Sequence, residues 1–93
     1  MPVKRYTLDG NKIGSFADFY NRISSFMKLP AHFGRNLDAL GDVLTTDVEG
    51  PFEIDWTCAD NSRKLMGKDF DRVVKLLRKL EKDRDDFQLK IDH

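Results

Sequence analysis

The sequence predicts an α/β fold: a three-stranded parallel sheet with helices packed mainly on one face, in one domain spanning residues 1–93. Three observations carry this. The segments VKRYTL, FEIDWTC and FQLKI carry the β-formers or the period-two alternation of strands. Helical periodicity fills both intervals between them, so each connection is a crossover, and crossovers join parallel strands with a right-handed turn. Parallel strands covered on both faces read as unbroken apolar runs. Here the second and third strands alternate, so the helices are expected mostly on one side.

The first strand is expected over about residues 3–8, where Val3, Tyr6, Thr7 and Leu8 precede the turn signal Asp9-Gly10. Ser15 then introduces Phe16, Phe19, Tyr20, Ile23, Phe26 and Met27, which lie on one helical face and read as core. Ser15 and Asp18 have the spacing of a capping box with Asp in the Glu position, and Pro30 ends the element. PAHFGR reads as a loop, and Asn36 as the N-cap of a second helix over about 37–46.

FEIDWTC alternates Phe52, Ile54, Trp56 and Cys58 against Glu53, Asp55 and Thr57. That pattern predicts a strand with one wet face, with Trp56 anchoring the core and Cys58 as a small core residue. Asp60 is the expected cap of a short helix running through Leu65 and Met66 and closed by Gly67. Phe70, Val73, Val74, Leu77 and Leu80 mark a fourth helix over about 69–82. Its Lys75, Arg78, Lys79 and Lys82 read as a solvated face, without the interleaved aromatics that a nucleic-acid surface would want. Phe87, Leu89 and Ile91 alternate with Gln88 and Lys90 in a last strand.

Composition narrows the class. Hydrophobic residues make up 40% of the chain and aromatics 11%, enough to build a packed core. Cys58 is the only cysteine, which fits a reducing compartment. MPVKRYTLDG has no apolar run of signal-peptide length, and no segment approaches the roughly 18 apolar residues of a membrane span. A soluble, cytoplasmic protein, monomeric when free, is therefore expected. Formal net charge is zero, yet it is unevenly spread. Residues 1–30 carry five basic and two acidic side chains, and residues 61–93 carry ten and seven. Residues 31–60 carry Arg35 against seven acids, a net of −6. An acidic block of this kind repels nucleic acid and attracts basic proteins or cations; no nucleic-acid or membrane partner is expected.

Within that block, HFGRNLDALGDVL holds Asp38 and Asp42 four positions apart. With helix positions about 100° apart, Leu37, Leu40, Val43 and Leu44 share one side, and the two carboxylates point nearly the opposite way. Four readings compete. An exposed helix face accommodates aspartates without further explanation. Against it, like charges at i and i+4 repel, and Gly41 costs about 0.8–1.0 kcal/mol relative to alanine inside a helix. A hard-cation site would need further oxygen ligands, and His32 and His93 are too scattered for zinc; no metal or cofactor is expected. A catalytic dyad would need an apolar pocket to separate its two pKa values, so no enzymatic role is expected. An electronegative docking surface for a basic protein uses the charge block, the outward geometry and the glycine together, and is the reading these residues favour.

Leu29-Pro30, Phe33-Gly34, Asn36-Leu37-Asp38-Ala39-Leu40, Asp42, Leu44, Pro51 and the strand ending at Trp56 resemble the barstar family of small intracellular inhibitors of a secreted bacterial ribonuclease. The resemblance extends over about residues 5–91 and implies a three-stranded parallel sheet with helices mainly on one side. It implies that the second helix and the preceding loop plug a nuclease active site. Asp42 would replace an RNA phosphate among basic side chains, Asp38 would pair with a neighbouring basic group, and Gly34 would let the backbone come close. The implied partner-binding residues are His32, Phe33, Gly34, Arg35, Asn36, Asp38, Gly41, Asp42, Thr45 and Asp47. The chain departs from the family pattern where His32 replaces a tyrosine and where Gly41 and Asp47 replace tryptophans. Lys79 aligns near a contact glutamate. A basic ribonuclease or similar basic toxin is thus the implied partner; the alternative is a regulatory module of the same fold that docks another basic protein.

Overall fold

A computed structural model describes residues 3–27 (Phe26 by its backbone), 36–46 and 48–92. The elements are β1 (Lys4–Asp9), α1 (Phe16–Phe26), α2 (Leu37–Thr46), β2 (Phe52–Thr57), α3 (Ala59–Met66), α4 (Lys68–Asp83) and β3 (Phe87–Ile91). All seven expected elements are present, with bounds shifted by a residue or two and α1 ending at Phe26. The expected break at Pro30 and the PAHFGR loop lie outside the described residues. Among the described residues, no helix is long and apolar enough to cross a membrane.

The sheet order is β1-β2-β3, and both pairings are parallel. Register stacks Tyr6, Ile54 and Leu89 in one rung and, two residues further along the same face, Leu8, Trp56 and Ile91 in another. Because the strands advance in one direction across the sheet, two right-handed crossovers deposit their helices on the same side. Burial follows: Leu8, Phe52, Ile54, Trp56, Phe87 and Leu89 are buried beneath the helices. Trp56 is fully buried; its ring stacks on Phe19 at 5.6 Å and tilts against Phe70 at 5.0 Å. The indole N–H donates to Ser62 Oγ, whose hydroxyl donates in turn to the Gly10 carbonyl. A polar pair inside the core is tolerated because each donor has its acceptor. Gly10 itself is required: a Cβ there would lie 1.9 Å from the Cys58 carbonyl oxygen.

α1 begins as its sequence suggests, with Ser15 Oγ accepting the Asp18 N–H at 3.1 Å. The return arm goes elsewhere: Asp18 accepts from the Gly14 N–H. Phe19, Tyr20, Ile23 and Met27 are buried, while Phe16 is half-buried and stacks on Tyr20.

Three expectations are corrected. Cys58 is not a core residue but exposed, because the strand ends at Thr57 and the chain turns there through a left-handed residue (φ 50°). Asp60 does not cap α3; the helix starts one residue before it, Cys58 occupies the cap position, and Asp60 pairs with Arg63 inside the first turns. Glu53, expected on a wet face, is 4% exposed. Its carboxylate is covered from both edge strands by Arg5 at 3.1 Å and Lys90 at 3.4 Å. In a three-stranded sheet the central strand is flanked on both sides, so long cationic side chains can close over it.

One side chain ties α2 to the rest of the molecule. Arg84, mostly buried just after α4, donates through Nη1 to the carbonyls of Leu44 and Val48, near the C-terminal end of α2. Its Nε and Nη2 bind the two Asp86 carboxylate oxygens, each at 2.8 Å, and the guanidinium lies 4.9 Å from the Phe52 ring centre. Arg84→Ala is expected to lower stability by about 2–4 kcal/mol, since it leaves the Leu44 and Val48 carbonyls without their donor and removes a mostly buried side chain; urea unfolding with an unchanged m-value checks this. Arg84 hydrogen bonding also holds the Asp86 carboxyl below the ordinary aspartate range. A lowered carboxyl stabilises the fold above the unfolded value of about 3.9, and that contribution is lost as pH falls through the lower folded value. Asp86→Asn should therefore be less stable than the parent at neutral pH, and the gap should close in acid below about pH 4. A gap that widens in acid would refute the assignment.

Candidate functional site: the acidic face of α2

Asn36 starts α2 as expected. Its Oδ1 accepts the Ala39 N–H at 2.8 Å and its carbonyl accepts the Leu40 N–H at 2.9 Å. Leu40, Val43 and Leu44 are buried and Leu37 half-buried, which fixes the rotation of the helix. Asp38, Gly41, Asp42 and Thr45 then form a stripe at i, i+3, i+4 and i+7 along one side. Both carboxylates are exposed, and among the described residues neither has an ion-pair or hydrogen-bond partner. Thr45 and Thr46 turn their hydroxyls back onto the helix, donating to the carbonyls of Gly41 and Asp42 at 2.7 and 2.8 Å.

The stripe is one wall of a groove. α2 lies beside α4, and a cavity of about 210 Å³ between them is lined by Asp38, Gly41, Asp42 and Thr45 from α2 and by Leu76, Lys79 and Asp83 from α4. Gly41 acquires a packing role here: an added Cβ would sit 3.2 Å from Leu76 Cδ1, so the two helices approach closely at this point. The glycine that helix propensity disfavours therefore lies on the α2–α4 seam as well as on the acidic face.

Of the implied binding residues, Asp38, Gly41, Asp42 and Thr45 come together in this groove, and Asn36 caps the helix that carries them. His32, Phe33, Gly34, Arg35 and Asp47 lie outside the described residues. Sequence patterning missed the opposite wall. Leu76, Lys79 and Asp83 recur at helical spacing on α4, but nothing local says which helix they face. Lys79, which periodicity put on a solvated face and the resemblance aligned near a contact glutamate, lines the groove with the two aspartates. Arg78 is not free in solvent either: it donates to Glu81 and to the Leu89 carbonyl.

Two solvated carboxylates stacked one turn apart suit cation pairing. Among the described residues no group of three or more His, Cys, Asp or Glu side chains is placed to hold a metal ion.

The family model described as "Barstar (barnase inhibitor)" matches residues 3–92. The chain is also 24% identical over 91 residues to "Putative ribonuclease inhibitor YrdF" of Bacillus subtilis (strain 168), covering 97% of this chain and all of that protein.

Gly41→Ala separates the two costs at the seam. Removing glycine from a helix interior gains up to about 1 kcal/mol, and the obstructing atom is the far end of a half-buried leucine. A net stabilisation of about 0.5 kcal/mol is expected in urea unfolding. Destabilisation would mean that Leu76 has no room to give.

Proposed function

The chain belongs to the Barstar family, and from that premise we propose that it is a cytoplasmic, non-enzymatic inhibitor that closes the active site of a small basic ribonuclease with α2 and the segment before it. Family membership carries a ribonuclease-inhibitor-like role; the docking mode is the finer reading. The observation that supports it is the pair of exposed carboxylates, Asp38 and Asp42, one helical turn apart and without a charge partner among the described residues.

A ribonuclease active site must hold a phosphodiester anion, so it concentrates cationic side chains. A carboxylate on a rigid helix can enter that field at little conformational cost, because α2 is already capped by Asn36 and clamped by Arg84. Asp42, in the middle of the helix, takes the phosphate position, and Asp38 pairs at the edge. Thr45 follows Asp42 along the stripe, and the family resemblance adds His32, Phe33, Gly34, Arg35 and Asp47 as further proposed contacts. A second reading, docking to a basic protein that is not a nuclease, has Gly41 in its favour: the centre of the stripe offers no anchoring side chain.

Titration into assays of barnase and other small basic secreted ribonucleases tests the proposal. Activity should fall to zero at one equivalent for at least one enzyme. Asp42→Ala should weaken binding by more than about 30-fold, roughly 2 kcal/mol, and Lys79→Ala by much less. Association should slow as salt rises. Inhibition of none of these enzymes would sink the reading, and equal effects of the two substitutions would move the interface elsewhere.

A further inference from the structure

The groove continues past Asp38 onto α4, and its chemistry changes sign. A cavity of about 560 Å³ is lined by Leu37 and Leu76 and edged by Arg72, Lys75, Lys79 and Lys82. Leu37 and Leu76 are partly buried, packed against the core, and each leaves some apolar surface at the cavity wall. Lys75, Lys79 and Lys82 are exposed and have no ion-pair partner among the described residues. Among the described residues Arg72 pairs only with Asp69, at 3.7 Å on an exposed surface. Lys75, Lys79 and Lys82 recur at i, i+4 and i+7, so they form a stripe roughly a quarter turn around α4 from Leu76, and with it they line the same cavity.

Asp38 and Lys79 line both cavities, so the two patches are one surface. It presents two carboxylates, an apolar seam and three free ammonium groups in sequence. A partner that was basic throughout would meet attraction at Asp42 and repulsion at Lys75 and Lys79. Like charges brought together on docking are costly, and this is how surfaces exclude wrong partners.

Resting on the proposed inhibitory reading, we propose that the α4 rim is the specificity element of that surface. It selects a ribonuclease that carries carboxylates, beside an apolar side chain, next to its cationic active site. The apolar side chain covers Leu37 and Leu76, and the carboxylates pair with Lys75 and Lys79. A wholly basic ribonuclease is turned away.

The test measures association and dissociation rates for barnase and a panel of small basic ribonucleases against three proteins: the parent, Lys75→Glu/Lys79→Glu and Asp42→Asn. Every substituted side chain is exposed, and circular dichroism verifies folding. For each ribonuclease that the parent binds, the double reversal should weaken binding at least about tenfold, with much of the loss in the association rate. For an enzyme with a wholly basic face, the reversal should instead tighten binding. Unchanged or tighter binding to the parent's own partners after reversal overturns the rim. If Asp42→Asn still weakens those complexes, the inhibitory reading survives that failure. If Asp42→Asn has no effect while the reversal does, the rim is an interface but the acidic plug is wrong. If neither the parent nor the reversed protein binds any of the enzymes, both proposals fall.

Discussion

The position of β2 constrains everything else. It is the middle strand and runs parallel to both neighbours, so each neighbour can be reached only by a crossover. Right-handed crossovers in a sheet that advances in one direction stack on one face. All four helices must therefore share a single layer over three strands. That crowding brings α2 against α4 and buries Trp56 between Phe19 and Phe70. The acidic stripe inherits its orientation from this layer, because burial of Leu40, Val43 and Leu44 leaves α2 one way to sit.

The same constraint accounts for the other side of the sheet. With no helix among the described residues to cover it, that face holds Arg5, Thr7, Glu53, Asp55 and Lys90. A buried glutamate there looks anomalous from the sequence, because alternation marks Glu53 as solvent-facing. The alternation is correct about direction and silent about cover. Arg5 and Lys90 lie on the flanking strands and reach across, so the carboxylate is shielded by its own ion partners instead of by a helix. Partners of both edges offset part of the desolvation that a lone carboxylate would suffer.

Arg84 has a comparable role on the helical side. It lies between α4 and β3 in the chain, yet it hydrogen-bonds carbonyls at the end of α2 and just beyond, about 40 residues earlier. A docking helix loses less entropy on binding when both ends are already fixed. Asn36 fixes one end and Arg84 the other. The first was legible as a capping residue before an apolar-periodic run. The second was not, because an arginine in a charged segment carries no local sign of the carbonyls it will meet.

By itself the sequence determined the number, order and type of the elements, since periods of two and 3.6 are local properties of the chain. It also determined the outward direction of Asp38 and Asp42, which follows from their angular offset to Leu40, Val43 and Leu44. Cys58 and Asp60 mark its local limit: a strand ending one residue early turns the expected core cysteine into an exposed cap. Tertiary structure alone decided what stands opposite the aspartates. Lys79 and Leu76 are more than thirty residues away in sequence, and only the single helical layer brings them alongside α2. Gly41 shows the same division. Local propensity makes it a defect in a helix, and the nearby Leu76 makes it the point where two helices come close. Contacts of that range depend on how whole elements pack, and no local pattern of residues encodes which neighbour a helix will have.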